Sequence, residues 1–260
     1  MSGAVGADML ADILAGLDAE RRALGTPSPD GHVVVERSAD GSDYRIVFAD
    51  GPPAEIDDVI RRERAAADTG GYAVEWKVYG HDRPADLPDR LVAAGFEADD
   101  VEDVLVLALD TPSLAAFGTS SHDIRVVHDD QGLADYAEIS REIGRRNVDA
   151  ERTALAVALR EYPDELSVHI AYVDGEPASC GRVLYRPGGP YAELAGGRTK
   201  TTHRRQGLFT ALVASRLREA RERGRTHAFV DALPTSGPTL RRRGFQSITW
   251  TRPYVYEPPR

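Results

Sequence analysis

The chain has 260 residues, an apolar fraction of 42%, a charged fraction of 28% and a formal net charge of −10. That length and composition point to a globular protein of one large or two small domains. No apolar run approaches the roughly 18 residues a membrane span needs, and a strongly acidic balance argues against broad nucleic-acid binding.

The elements are read in chain order. Residues 1–25 (MSGAVGADMLADILAGLDAERRALG) carry acids and lack a basic n-region, so the segment reads as an amphipathic helix and not as a signal peptide. Residues 32–51 alternate apolar and polar around Asp40-Gly41 and predict a β-hairpin. Residues 53–71 predict a helix with acids in its first turn and glycine at its end. A strand follows over 72–80, a short helix over 86–96 stopped by Gly95, and a strand over 103–109. Residues 110–121 (DTPSLAAFGTSS) are turn-rich and predict a linker. The second half opens with a strand over 123–129. The spacing of Leu133, Tyr136, Ala137, Ser140 and Ile143 predicts a helix over 131–146, and a second helix covers about 150–161. A hairpin spans 166–185 around Asp174-Gly175, and a strand over 190–199 contains Gly196-Gly197. Then come a long helix closed by Gly224, a strand over 226–232, a helix over 236–245 stopped by Gly244, and final strands over 247–257.

Residues near Gly95 (RLVAAGF) match residues near Gly244 (TLRRRGF), 149 positions apart. This weak match predicts a duplicated module whose first copy is incomplete. The expected division is a domain over 1–112, a linker over 113–121 and a catalytic domain over 122–260. The single cysteine, Cys180, permits no internal disulfide, which predicts a reducing, cytoplasmic setting. Arginine outnumbers lysine, which is confined to Lys77 and Lys200, and this bias suggests a GC-rich bacterial genome.

Charge is unevenly spread. Residues 198–243 hold twelve Arg or Lys against three Asp or Glu, a local balance of +9 that leaves −19 on the rest. Cations at a helix N-terminus oppose the macrodipole unless an anion sits among them. Arg204, Arg205, Gln206, Gly207, Leu208, Phe209 and Thr210 open the long helix, where free backbone N–H groups favour a bound phosphate. Gly207 allows close approach, and the arginines add charge-assisted hydrogen bonds. No Walker or G-x-G-x-x-G spacing is present.

Residues 204–209 resemble the signature Arg/Gln-x-x-Gly-x-Gly/Ala of the GNAT superfamily of acyl-CoA-dependent N-acyltransferases. The resemblance covers roughly 122–257 and includes the preceding hairpin, the strand with Gly196-Gly197, the strand after the long helix and the Gly244-Phe245 helix end. One position departs, since Phe209 stands where a small residue is usual; its ring either packs beneath the helix with Val213 and Leu217 or alters the loop. The resemblance implies an α/β fold with a mixed, mostly antiparallel sheet flanked by helices, in a tandem arrangement. It also implies acetyl-CoA as acyl donor and direct attack by a neutral amine on the thioester. A β-bulge at Gly196-Gly197 would splay the strand, so that Gly197, Arg198 and Thr199 offer backbone hydrogen bonds to the pantetheine arm.

Glu193 stands eleven residues before Arg204, at the offset of the general base in the histone-acetylating branch. It shares a strand face with Tyr191 and Ala195, and a salt-bridged strand glutamate is the alternative. The tyrosine acid of many relatives is replaced by Leu240, so the thiolate leaves unaided or another group or water serves. Ser236 either hydrogen-bonds the coenzyme or caps its helix. Arg241, Arg242 and Arg243 approach the adenosine 3′-phosphate or form a solvated face, and Asp231 meets a cationic substrate or caps a turn. Cys180 and His169 read as satisfied core residues, and no metal-ligand spacing is present.

The first module's matching segment, 48–58 (FADGPPAEIDD), is acidic and carries two prolines. It predicts a non-catalytic half that walls the acceptor cleft. The expected function is acetylation of a primary amine on a small molecule by a monomer or homodimer. A protein amino group is the alternative acceptor, and a CoA-binding sensor without catalysis is the alternative class. An RNA-binding module lacks the aromatic stacking motifs it would need.

Overall fold

The computed structural model describes residues 7–37, 44–118 and 120–259. Asp40-Gly41 of the first hairpin, the first six residues of the N-terminal helix segment and Thr119 of the linker lie outside them. The chain divides into two compact units that are not consecutive. The first takes 1–105, 231–238 and 247–260, and the second takes 106–230 and 239–246. The chain crosses between them within β6 (Glu102–Ala108), β11 (His227–Ala232) and α8 (Gly237–Arg242), and at the start of β12 (Gln246–Tyr256).

In the first unit, α1 (Ala7–Ala23) buries Ile13, Leu17 and Arg21 on one side, the amphipathic pattern its sequence predicts. Strands β1 (Thr26–Pro27), β2 (Val33–Arg37) and β3 (Tyr44–Ala49) pair antiparallel in turn, and β3 pairs parallel with β4 (Val74–Tyr79). Helix α2 (Pro53–Gly70) ends at Gly71, whose φ of 68° lets its N–H reach the Ala67 carbonyl. Helix α3 (Leu87–Ala93) and β5 (Glu97–Ala98) follow. Only the end of the chain completes this sheet: β12 (Gln246–Tyr256) runs antiparallel to β4 over 251–256 and to β5. Trp76, Ile46, Ile56, Leu87 and Leu91 form the fully buried core.

In the second unit, the expected linker contains a short helix, α4 (Thr111–Ala115), because the Asp110 carboxylate accepts from the Ser113 N–H and caps it. The sheet order is β7 (Asp123–Val126), β8 (Leu166–Val173), β9 (Glu176–Tyr185), β10 (Tyr191–Thr199) and then β11. All neighbours are antiparallel except β10 and β11. Helices α5 (Asp130–Glu142) and α6 (Val148–Glu161) cover one face, where Tyr136 and Ile139 pack on Val168, Ile170 and Cys180. The 3₁₀ turn Thr201–His203 leads to α7 (Leu208–Glu222), which covers the other face through Leu208 and Leu212 against Ala171 and Ala178. This is the mixed, largely antiparallel α/β class that the sequence predicts.

The two helix ends matched in sequence close alike. Gly95 has φ +87° and Gly244 φ +100°, while the Phe96 N–H reaches the Leu91 carbonyl and the Phe245 N–H the Leu240 carbonyl. Differences from expectation are local. Helix α8 is shorter than 236–245, and the last segment is one eleven-residue strand and not several.

Candidate active site

Three features of the second unit converge on β10. The first is its pairing. β10 and β11 are in register only from Tyr191↔His227 to Glu193↔Phe229, and beyond Glu193 no pairing joins them. The second is a bulge. Against β9 the register runs Ala195↔Arg182 and then Arg198↔Cys180, so three steps on β10 match two on β9. Gly196 takes φ +60° there, which favours glycine, and a Cβ on it would stand 2.9 Å from Arg182 Nε, so the arginine would have to shift. The bulge predicted at Gly196-Gly197 is therefore present, together with the opening it causes.

The third feature is the mouth of α7. Gly207 is its N-cap at φ +84°, and Arg205 also has positive φ, at 62°. The first intrahelical bond runs from the Ala211 N–H to the Gly207 carbonyl. The amides of Arg205, Gln206, Gly207, Leu208, Phe209 and Thr210 donate to no acceptor among the described residues. Residues 204–207 are exposed, while the Leu208 side chain anchors the turn in the core. Six unsatisfied donors beside a helix's positive end form an anion cradle. The Arg205 guanidinium makes no hydrogen bond to a described residue, and Arg204 Nε lies 3.5 Å from the Thr199 carbonyl oxygen. His122, which sequence reading missed, places Nε2 3.5 Å from where a Gly207 Cβ would be. No motif marks it, because it arrives from β7's approach, 85 residues upstream.

The +9 of residues 198–243 does not form one basic patch. Arg198 is buried and donates to Glu151 at 2.8 and 2.9 Å and to Ser140 Oγ at 2.6 Å. Lys200 pairs with Glu138, Arg223 with Glu219, and Arg218, Arg225 and Arg243 donate to main-chain carbonyls. Arg204 and Arg205 remain to meet an anion at the loop.

Cross-strand partners fix the faces. Glu193 lies opposite Leu184, Ala195 opposite Arg182 and Arg198 opposite Cys180, so all three project on the α5/α6 side, where Arg182 and Arg198 both meet Glu151. Glu193 is half-buried there, and Tyr191 packs on the Phe229 ring. The Arg198 carbonyl already accepts from Ser179 Oγ, whose distance to Thr199 Oγ is 2.7 Å. Gly197 is exposed, and the Phe209 ring lies 3.6 Å from its would-be Cβ, so this ring reaches the bulge.

The other candidates fall elsewhere. Ser236 is exposed in the first unit and donates to the Leu233 carbonyl. Asp231 pairs with Lys77 of β4. Leu240 is fully buried. Burial pushes the Cys180 thiol up to about 12, leaving it inert. His169 is wholly buried, and desolvation holds it neutral against its Glu219 partner. Nε2 therefore donates to Glu219 Oε2 (2.6 Å) and Nδ1 accepts from Ser215 Oγ (3.0 Å).

The segment 48–58 of the first unit, which sequence reading set against this loop, differs in donors. Pro52 and Pro53 carry no N–H, and the amides of Glu55 and Ile56 are both spent on the Pro52 carbonyl.

Residues 134–245 match the acetyltransferase (GNAT) family profile. This segment is a GNAT domain. Over the whole chain the fold resembles a GCN5-related N-acetyltransferase from Kribbella flavida, with TM-score 0.67, 18% identity, and 99% and 98% of the two chains covered. It also resembles a tandem GNAT protein from the clavulanic acid biosynthesis pathway, with TM-score 0.63, 16% identity, and 93% and 87% covered. A third GNAT structure, from Sphaerobacter thermophilus, gives TM-score 0.56 at 14% identity over 89% and 79%. No curated protein matches the sequence significantly.

Proposed function

We propose that the GNAT domain transfers acetyl from acetyl-CoA to a primary amine of a small molecule. The six unengaged amides from Arg205 to Thr210 are the observation that carries this reading. Residues and group fit: a diphosphate needs several free donors with positive charge nearby, and the loop offers six unengaged amides beside Arg204 and Arg205. When bound, the coenzyme supplies an activated acetyl thioester.

The chain's own residues do the rest. The loop amides with Arg204 and Arg205 hold the diphosphate. The unpaired edge of β10 beyond Glu193 gives main-chain hydrogen bonds to the pantetheine arm and to the thioester oxygen. Glu193 accepts the amine proton, directly or through water, on the face opposite α7. Leu240 donates no proton, and a departing thiolate needs little help, since thiols ionise only modestly above neutrality. Leu240 also keeps open a second reading, a coenzyme-binding sensor without turnover. A protein amino group is the other acceptor. The first unit acts as a non-catalytic GNAT-like half, since the prolines at α2 remove the donors a phosphate needs.

Thermal denaturation with acetyl-CoA tests the reading. At a hundredfold its dissociation constant the ligand should add about 2.7 kcal/mol to stability. A panel of small amines and peptides then identifies the acceptor class. An unchanged Tm at millimolar acetyl-CoA would remove the proposal.

A further inference from the structure

Arg216 has no place in the motif, yet it is the most deeply buried cation near β10. It projects from the middle of α7 with 2% of its surface exposed. Its Nη1 donates to the Arg182 carbonyl at 3.1 Å and the Ala195 carbonyl at 3.3 Å, and its Nε to the Leu212 carbonyl at 3.2 Å. No described carboxylate pairs with it. Desolvation draws its pKa down to about 10, so it stays charged at neutral pH.

A buried charge without a counter-charge is costly, and an apolar side chain of similar volume would avoid that cost. Arg182 and Ala195 are the last register pair before the bulge, where an inserted residue disrupts the ladder. The guanidinium supplies donors there from the α7 side. Space for it depends on a missing side chain, since a Cβ on Gly181 would lie 2.7 Å from Nη1. Nη2 lies 4.0 Å from the would-be Cβ of Gly197 and has no hydrogen-bond partner among the described residues. The charge thus stands behind the bulge, opposite the face that carries Glu193.

We propose that Arg216 is a positioning residue for acyl transfer: it props the β10 bulge in the form that presents main-chain donors to the thioester and sets a fixed positive charge behind them. This rests on the acyltransferase reading above. The same helix carries the anion loop at its mouth, so one rigid element ties coenzyme binding to the geometry of the reacting strand. Preorganised donors and charge of this kind act on turnover more than on binding.

The test uses Arg216→Met, Arg216→Lys and Gly181→Ala in the full chain. It measures kcat, KM, acyl-free CoA affinity by calorimetry, and amide hydrogen exchange over 195–199. Arg216→Met should lower kcat roughly 10²-fold, leave CoA affinity within about threefold, and speed exchange at the bulge. Arg216→Lys, which keeps charge but loses the planar fork, should fall between. Gly181→Ala, which displaces the guanidinium, should lower kcat in the same direction and carries the test if Arg216→Met does not fold. Folded variants with wild-type kcat would overturn the proposal while the acyltransferase reading stands. A wild-type chain that binds no acetyl-CoA would overturn both.

Discussion

Glu193 and Gly207 show how differently single residues can be read. Glu193 is singled out by its offset from Arg204, and its chemistry depends on which face of β10 it occupies. The pairing with Leu184 puts it on the face away from α7. Glu193→Gln is nearly isosteric and removes the carboxylate base. It should lower kcat about 10²-fold or more, with CoA affinity unchanged, and abolish the acid limb of the pH–rate profile. Equal turnover in both forms, measured with the identified acceptor, would assign the proton to another group. No turnover in either form, with coenzyme bound, would favour the sensor. Gly207 was legible outright, since a glycine between a basic pair and a helical pattern states its own backbone demand. Its φ of 84° and the free amides beside it fulfil that demand. His122 and Arg216 were not legible, because a lone side chain carries no period and no motif.

At the scale of elements, β10 and α7 work as a pair. The glycines of β10 announce a bulge, and pairing with β11 ends as soon as the bulge approaches. Helix α7 meets β8 through a partly buried polar network of Ser215, His169, Glu219 and Ser167. Burial raises the Glu219 carboxyl, but hydrogen bonds from His169 and Ser167 outweigh it and hold the group down at about 2. Burial also lowers His169. Both folded values lie below the unfolded ones. Each contribution is therefore complete above its unfolded pKa, near 6.5 for His and 4.3 for Glu, and is lost as pH falls through the folded value. Thermal stability of the second unit should thus drop from pH 7 to pH 4. His169→Asn should flatten the part of that slope between pH 7 and 5 in a calorimetric pH series, and an unaltered slope would assign it to other groups. The sequence marks His169 as a satisfied strand residue, but not its partners, which come from a helix some 46 to 50 residues later.

At the scale of the whole molecule, strand order departs most from chain order. The last strand, β12, completes the sheet that the first hundred residues begin, through six residue pairs with β4. Removing 246–260 should therefore destabilise the part of the first unit built from 1–105, although that stretch itself is untouched. The expected result is loss of cooperative unfolding by tryptophan fluorescence from Trp76, which is fully buried in that unit. Retention of a native-like transition would show that β12 is dispensable there. No helix of the described residues is long and apolar enough to cross a membrane.

Apart from α4, β1, β5 and the 3₁₀ turn, the sequence alone determined the element types, the loop before α7, the glycine pair of the bulge and the helix ends at Gly95 and Gly244. Each of these is a local demand, set by periodicity, by a missing Cβ or by unsatisfied amides within a few residues. Tertiary structure alone decided which arginines of the 198–243 run meet solvent, where Glu193 points, what Arg216 holds and which sheet β12 joins. Those outcomes depend on burial and pairing between segments far apart in the chain. Desolvation strength and strand partnership are properties of the assembled neighbourhood, and no window of sequence contains them.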